Sequence, residues 1–286
     1  MISIEDVILD RDGRGISALR PYLPSDYCFQ AANFTLENPG TVMIVTGFYI
    51  LSANAPETDG PPGAVAIGNA LNDIGYRVVY ITDKHCMSVM KEIIEPGSEI
   101  VEFPIADKES SETFANEVLL NFKPSLLISI ERCGATKHGT YLNMLGVDIS
   151  EYTARTDYLF DGTLGSIGIG DGGNEIGMGN LSSVIPSLTK LPDNPCVTSV
   201  DKLLISSVSN WGGYGLVASL SLSIGKNLLP SVDEEQKLVK EVVIAGAVNG
   251  MSGKRENLVD GFSLEENSAI LDRLHSLLIH NGIGSN

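Results

Sequence analysis

Basic residues are scarce in this chain of 286 residues, which carries 19 Lys and Arg against 36 Asp and Glu, for a formal net charge of −17. Such an excess of negative charge repels nucleic-acid phosphates and anionic lipid surfaces, which excludes nucleic acid and membrane as partners. A small anionic metabolite is the expected partner, and a metal ion or a local Arg or Lys would have to hold it.

Cysteine is scarce as well, and Cys28, Cys86, Cys133 and Cys196 show no CxxC spacing. The spacing therefore predicts neither a zinc knuckle nor a redox pair, and a reducing compartment fits best. No apolar run reaches the roughly 18 residues of a membrane span, and the first residues are acidic where a targeting peptide would be basic. We expect a soluble cytoplasmic protein, and a homo-oligomer is compatible with this composition.

The sequence does contain apolar segments, and along the chain short continuous runs typical of buried strands alternate with segments whose apolar residues recur at helical spacing. Strands are predicted over 41–51, 77–82, 99–103, 125–131, 166–170 and 202–206. Helices are predicted over 63–74, 85–94, 110–122, 215–224 and 263–279, with 235–248 passing from helix into strand. This alternation predicts an α/β three-layer sandwich with a mostly parallel, doubly wound sheet. We expect one domain over 1–286, of which residues 1–40 are less regular.

The most informative segment is 170–180, GDGGNEIGMGN, which follows a predicted strand. Its glycines allow a close approach to a ligand, while Asp171, Asn174 and Glu175 supply the hard oxygen ligands that Mn²⁺ or Mg²⁺ prefers. The segment therefore predicts a divalent-metal site, with Gly172 and Gly173 beside the substrate. The structural alternative is a tight turn in which Asn174 caps a helix.

A different interpretation of the same loop is nucleotide binding, because residues 168–173 match the GxGxxG fingerprint. This would make the chain a noncatalytic nucleotide or metabolite sensor. The carboxylates of Asp171 and Glu175 argue against it, since they would face a pyrophosphate with like charge.

Other loops that follow strands carry polar residues, and ligands bind at the carboxyl ends of strands in open parallel sheets. Glu131 ends a strand and is a candidate metal ligand and general base. Arg132 is a candidate for holding a substrate anion with a free guanidinium, and the alternative is a salt bridge to a neighbouring loop. Asp59 and Gly60 are candidates for substrate binding, with a helix-capping aspartate as the alternative for Asp59.

Two more loops complete this predicted edge of the sheet. Asn210 lies in the segment 207–213, SVSNWGG, and is a candidate for substrate binding, while Trp211 either walls the site or packs in the core. Asp260, before Gly261, is a further candidate carboxylate whose alternative is an ordinary turn.

Three segments in this order and spacing resemble the D-glutamate cyclase-like family. They are 58–64 (TDGPPGA), Glu131-Arg132 with 141–144 (YLNM), and 170–179 (GDGGNEIGMG), within a match over about 40–285. The resemblance implies an α/β sandwich, and conversion of D-glutamate to 5-oxo-D-proline and water, with a manganese-dependent phosphatase as the alternative activity.

The resemblance also implies site residues. Functional positions carried over from the family are Asp59, Glu131, Asp171, Asn174 and Glu175. On the cyclase hypothesis, Asp171, Asn174, Glu175 and Glu131 bind the metal, Glu131, Arg132 and Glu175 are catalytic, and Asp59, Gly60, Gly172, Gly173 and Asn210 contact the substrate.

Overall fold

The fold is an α/β sandwich around a six-stranded, all-parallel sheet. A computed structural model describes residues 2–284, so residues 1, 285 and 286 of the predicted domain lie outside it. The sheet consists of β1 (Thr41–Thr46), β4 (Arg77–Thr82), β5 (Glu99–Glu102), β6 (Leu126–Ile130), β7 (Gly165–Gly170) and β8 (Lys202–Ile205). Their order is β5-β4-β1-β6-β7-β8. This confirms the predicted fold class.

Helices cover both faces of this sheet. They are α1 (Ile4–Ile8), α2 (Tyr27–Glu37), α3 (Pro61–Asp73), α4 (Met87–Ile93), α5 (Lys108–Phe122), α6 (Ser209–Ile224), α7 (Val232–Ile244) and α8 (Leu264–His280). Alternate residues of β1 point to opposite faces: Val42 and Ile44 pack in the larger core with α1–α4 and α6–α8, whereas Met43 and Val45 pack in the smaller core with α5. The strands are therefore buried on both faces, as their continuous apolar runs predicted.

Strand order reverses direction between β1 and β6, because the chain moves outward from β1 through β4 and β5 and then returns to the other side. In open α/β sheets this switch point is where ligands bind. Asp59 follows β1, and Glu131 directly follows β6. The topology thus brings two of the predicted site residues to the place where a crevice is expected.

Three predicted elements differ from the structure by more than two residues at one end. The first strand ends at Thr46 and is followed by a two-residue hairpin, β2 (Tyr49–Ile50) and β3 (Ala55–Pro56). Helix α6 begins at Ser209, so Asn210 and Trp211 belong to its first turn and not to a loop. After α7, the predicted strand reduces to a single bridge between Glu57 and Val248. A second short hairpin, β9 (Leu258–Val259) and β10 (Phe262–Ser263), precedes α8.

The first 40 residues are more regular than expected. They form α1, the 3₁₀ helix Ile16–Tyr22 and α2, and the buried side chains of Val7, Ile8 and Tyr27 join the larger core. In the described range 2–284, no helix combines the length and the apolar character needed to cross a bilayer.

Candidate metal centre

Six acidic side chains gather beyond the carboxyl ends of the central strands. Glu57, Asp59, Glu131, Asp171 and Glu175 are each at most 5% exposed, and the side chain of Asp260 is 4% exposed. These six residues are called the acidic cluster below. Four of them were predicted site residues, which the structure brings together; Asp260 was a candidate carboxylate, and Glu57 was not anticipated.

Asp171 is central to the acidic cluster. Oxygen atoms of Glu131, Asp171 and Glu175 lie within 4.8 Å of one another, and so do those of Asp59, Asp171 and Asp260. Asp171 therefore belongs to two carboxylate triplets. Its side chain is fully buried, yet no donor among the described residues reaches Oδ2.

The loop after β7 is shaped by hydrogen bonds from its own backbone to Glu175. The N–H groups of Asp171 and Gly172 donate to Glu175 Oε1 at 3.1 and 2.6 Å, and that of Gly173 donates to Oε2 at 2.7 Å. Gly173 has φ of 95°, a conformation that favours glycine. Because Glu175 uses the amides that a GxGxxG loop offers to a pyrophosphate, this geometry disfavours nucleotide binding.

Glu131 and Asp260 are held in unusual backbone conformations. Their φ angles are 45° and 51°, in the left-handed region that residues with a side chain rarely adopt. Such strain concentrates at functional sites, where the surrounding structure holds it in place. Glu131 Oε2 accepts a hydrogen bond from Ser209 Oγ at 2.6 Å, which ties the end of β6 to the start of α6.

Asp59 and Asn210 cap each other's helices. The backbone N–H groups of Ser209 and Asn210, at the start of α6, donate to Asp59 at 2.8 Å each. In return Asn210 Oδ1 accepts from Gly60 and Gly63, at the start of α3, at 3.0 and 2.8 Å. The capping alternative for Asp59 is thus confirmed, although the helix it caps is α6. The side chain of Asn210 is used within the protein.

Gly60 permits the close approach of Asp59 to Glu131. It has φ of 95°, and a β-carbon there would lie 2.7 Å from Glu131 Cβ and 2.8 Å from Thr46 Oγ1. Any side chain at this position would separate the loop after β1 from the end of β6.

Arg14, which the sequence analysis missed, is inserted into the acidic cluster. Its Nη1 pairs with Asp171 Oδ1, and its Nη2 lies 2.7 Å from Asp260 Oδ1. Arg14 lies in the segment DRDGRG, between Gly13 and Gly15, just before the 3₁₀ helix. The sequence did hold one indication of this role. A buried acidic cluster requires a cation, and Arg14 is a cation between two glycines, whose lack of side chains lets the loop approach other segments closely.

Burial and mutual repulsion change the proton affinity of the cluster. Burial, with a contribution from Asp260, raises the pKa of Asp59 to about 7. Burial also raises the pKa of Glu131 well above its ordinary value, with the charge of Glu175 adding to the effect. For Asp171, burial raises the pKa well above the ordinary value although Arg14 opposes it. One guanidinium thus does not neutralise the cluster, and a divalent cation would favour the ionised carboxylates.

The free guanidinium expected of Arg132 is wrong. Arg132 is 1% exposed and lies 2.7 Å from Asp83 Oδ2, in the loop after β4. Its nitrogens also donate to the carbonyl oxygens of Gly47 and Ala154 at 2.7 and 2.8 Å, and to Thr156 Oγ1 at 3.2 Å. The salt-bridge alternative is therefore the one observed, and Arg132 joins the loops after β1 and β4 to the segment 154–156.

Asn174 does not cap a helix, and Trp211 does not line the site. Asn174 Nδ2 donates to the carbonyl oxygen of Leu142 at 3.1 Å, and Gly177, rather than Asn174, precedes the next helical turn. Trp211 is fully buried and its Nε1 donates to Asn267 Oδ1 at 2.7 Å, so it packs in the core.

Comparison with known proteins shows the family of this chain. A family model described as D-glutamate cyclase-like, C-terminal, matches residues 4–275. The chain belongs to this family. It is 29% identical, over 303 residues of alignment, to human "D-glutamate cyclase, mitochondrial", with 91% of this chain and 48% of that protein covered. The chain therefore spans about half the length of this D-glutamate cyclase relative. The family assignment made from three short motifs is confirmed.

Proposed function

We propose that this chain is a divalent-metal-dependent lyase that converts D-glutamate to 5-oxo-D-proline and water. Membership of the D-glutamate cyclase-like family supports the reaction. The observation that carries the metal dependence is Asp171, which belongs to both carboxylate triplets and whose fully buried Oδ2 has no donor in the described range 2–284.

The donor set fits a hard cation. Glu131, Asp171 and Glu175 would hold Mn²⁺ or Mg²⁺, because carboxylate oxygens are the ligands that both ions take in proteins. Asn174 stays a predicted ligand, although its amide nitrogen is bonded to Leu142. When bound, the metal would act as a Lewis acid that polarises a substrate carboxylate.

The reaction joins the α-amino nitrogen of D-glutamate to its γ-carboxyl carbon. One C–N bond forms, one C–O bond breaks, and the two protons that the ammonium nitrogen loses leave with the carboxylate oxygen as water. Glu131 is the proposed base for the nitrogen, and Ser209 Oγ, which donates to its Oε2 at 2.6 Å, would orient the carboxylate.

Arg14 takes the role that the sequence analysis gave to Arg132. The substrate has two carboxylates, and of these two arginines only Arg14 lies in the acidic cluster. We place the α-carboxylate against its guanidinium, which offers paired N–H donors. Asp59, Gly60, Gly172 and Gly173 stay predicted substrate contacts, whereas the side chain of Asn210 acts through the cap of α3.

The test is incubation of the purified protein with D-glutamate and Mn²⁺, with 5-oxoproline measured by chromatography or NMR. We expect product with Mn²⁺, none with EDTA, and none with Asp171→Asn, while Asp272→Asn, an exposed carboxylate on α8, keeps the activity. Absence of product from the metal-loaded wild-type protein would refute the proposal. No observation on this chain favours the phosphatase alternative.

A further inference from the structure

We infer that the acidic cluster has two cation positions that share Asp171, and that the guanidinium of Arg14 occupies the second. The inference rests on the proposed metal site, which is the first position. It goes further by fixing how many divalent ions the protein binds and which residue limits that number.

The two positions correspond to the two carboxylate triplets. Glu131, Asp171 and Glu175 form the first, and among the described residues no Lys or Arg pairs with Glu131 or Glu175. Asp59, Asp171 and Asp260 form the second, and Arg14 bridges two of its three members. The guanidinium of Arg14 thus takes the place of a second divalent ion, which together with the first would form a two-metal site that shares the carboxylate of Asp171.

Arg14 leaves part of the second triplet unsatisfied. It contacts Oδ1 of Asp171 and Oδ1 of Asp260, but Oδ2 of both residues lacks a donor within residues 2–284. Buried carboxylate oxygens without donors are costly, since desolvation is not repaid by a hydrogen bond. A divalent ion binds such oxygens directly, so this triplet retains the capacity for a metal once the guanidinium is removed.

The loop that carries Arg14 should keep its shape without that side chain. Asp12 accepts hydrogen bonds from the backbone N–H groups of Gly15, Ile16 and Ser17, which anchors the start of the 3₁₀ helix. The preceding residue Arg11 pairs with Glu266 on α8 at 2.5 Å. Variants of Arg14 should therefore change the charge in the cluster and leave the backbone in place.

The experiment is isothermal titration of metal-free protein with Mn²⁺, together with electron paramagnetic resonance of the loaded protein. We expect one ion per chain for wild type and for Arg14→Lys, which keeps the positive charge. Arg14→Gln should bind two ions, whose shared carboxylate couples their spins and changes the spectrum of a single Mn²⁺. The double variant Arg14→Gln with Asp260→Asn should return to one ion.

Each outcome decides a separate claim. One ion in Arg14→Gln would refute the second position, and two ions in wild type would refute its occupation by Arg14. Failure of every protein to bind Mn²⁺ would instead refute the metal dependence under the proposed function. Circular dichroism verifies folding, and Arg14→Met, which keeps the aliphatic stem, replaces Arg14→Gln if that variant does not fold.

Discussion

Replacement of Asp171 by Asn should separate metal binding from folding. Asn has nearly the same volume and keeps one oxygen as an acceptor for Arg14, but it removes the negative charge that both carboxylate triplets share. Burial already disfavours the ionised form of Asp171 in the metal-free protein. The free energy of unfolding of the metal-free variant should therefore lie within about 1 kcal/mol of that of metal-free wild type.

The effect should appear when Mn²⁺ is added. An ion that binds only the folded state, at a concentration about 100 times its Kd, stabilises wild type by about 2.7 kcal/mol. For a chain of 286 residues that corresponds to roughly 4–5 °C in Tm. Asp171→Asn should lose most of this shift, because the first triplet keeps only Glu131 and Glu175.

The assay is thermal unfolding by circular dichroism, with and without Mn²⁺, after treatment with EDTA and dialysis. Asp272→Asn serves as the matched control, since it removes one exposed carboxylate from α8 and should keep the full shift. If Asp171→Asn keeps the full shift too, Asp171 is not a ligand and the assignment of both triplets fails.

Three further predictions concern folding. Burial raises the pKa of Glu235 from 4.5 to about 7, which means that the folded protein disfavours the ionised carboxylate. Ionisation of Glu235 should therefore lower the free energy of unfolding as the pH rises above about 4.5, and this loss should be complete above about 7. Glu235→Gln should thus raise the free energy of unfolding, measured in urea at pH 8, by up to about 3 kcal/mol. Asp233→Asn, at an exposed position of the same helix, is the control. An equal gain in stability at pH 4 would contradict this cause. Gly60→Ala should destabilise more than Gly75→Ala by roughly 1–3 kcal/mol, since both glycines have positive φ but only Gly60 is crowded; equal losses on chemical denaturation would refute this. Arg132→Met should cost about 3–5 kcal/mol of stability, because it leaves Asp83 buried without its cation; unchanged stability with a raised KM for D-glutamate would restore its predicted substrate role.

Much of the fold could be predicted from local patterns. Parallel strands buried on both faces are continuous apolar runs, so β4, β6 and β7 were located within one residue. The capping box of α8, where Ser263 accepts from the N–H of Glu266, was likewise readable. The start of α6 was predicted six residues too late, because the first half of this helix contains three glycines. Its start at Ser209 depends on the cap from Asp59, which is remote in sequence.

The site was predictable only where chain topology brings residues together. Glu131 and Asp171 directly follow neighbouring strands, and the rule for parallel sheets predicts that they meet. Arg14 precedes the sheet altogether, and no periodicity links it to Asp171. Arg132 shows the opposite problem: its neighbour Glu131 enters the cluster while its own side chain turns to Asp83. Glu131 lies just after β6 with a positive φ, which no pattern in the sequence predicts.

The contact between Arg14 and Asp171 joins positions 157 residues apart, and Asp260 lies still further along the chain. No short segment can therefore assemble this centre as an isolated peptide, in contrast to metal loops whose ligands are sequential. During synthesis Arg14 is made before β7 and the second hairpin, so its partners become available only after those segments have been added. Metal affinity should accordingly report on completion of the whole fold, and a truncation that removes the first 15 residues would leave six acidic groups facing one another without their cation.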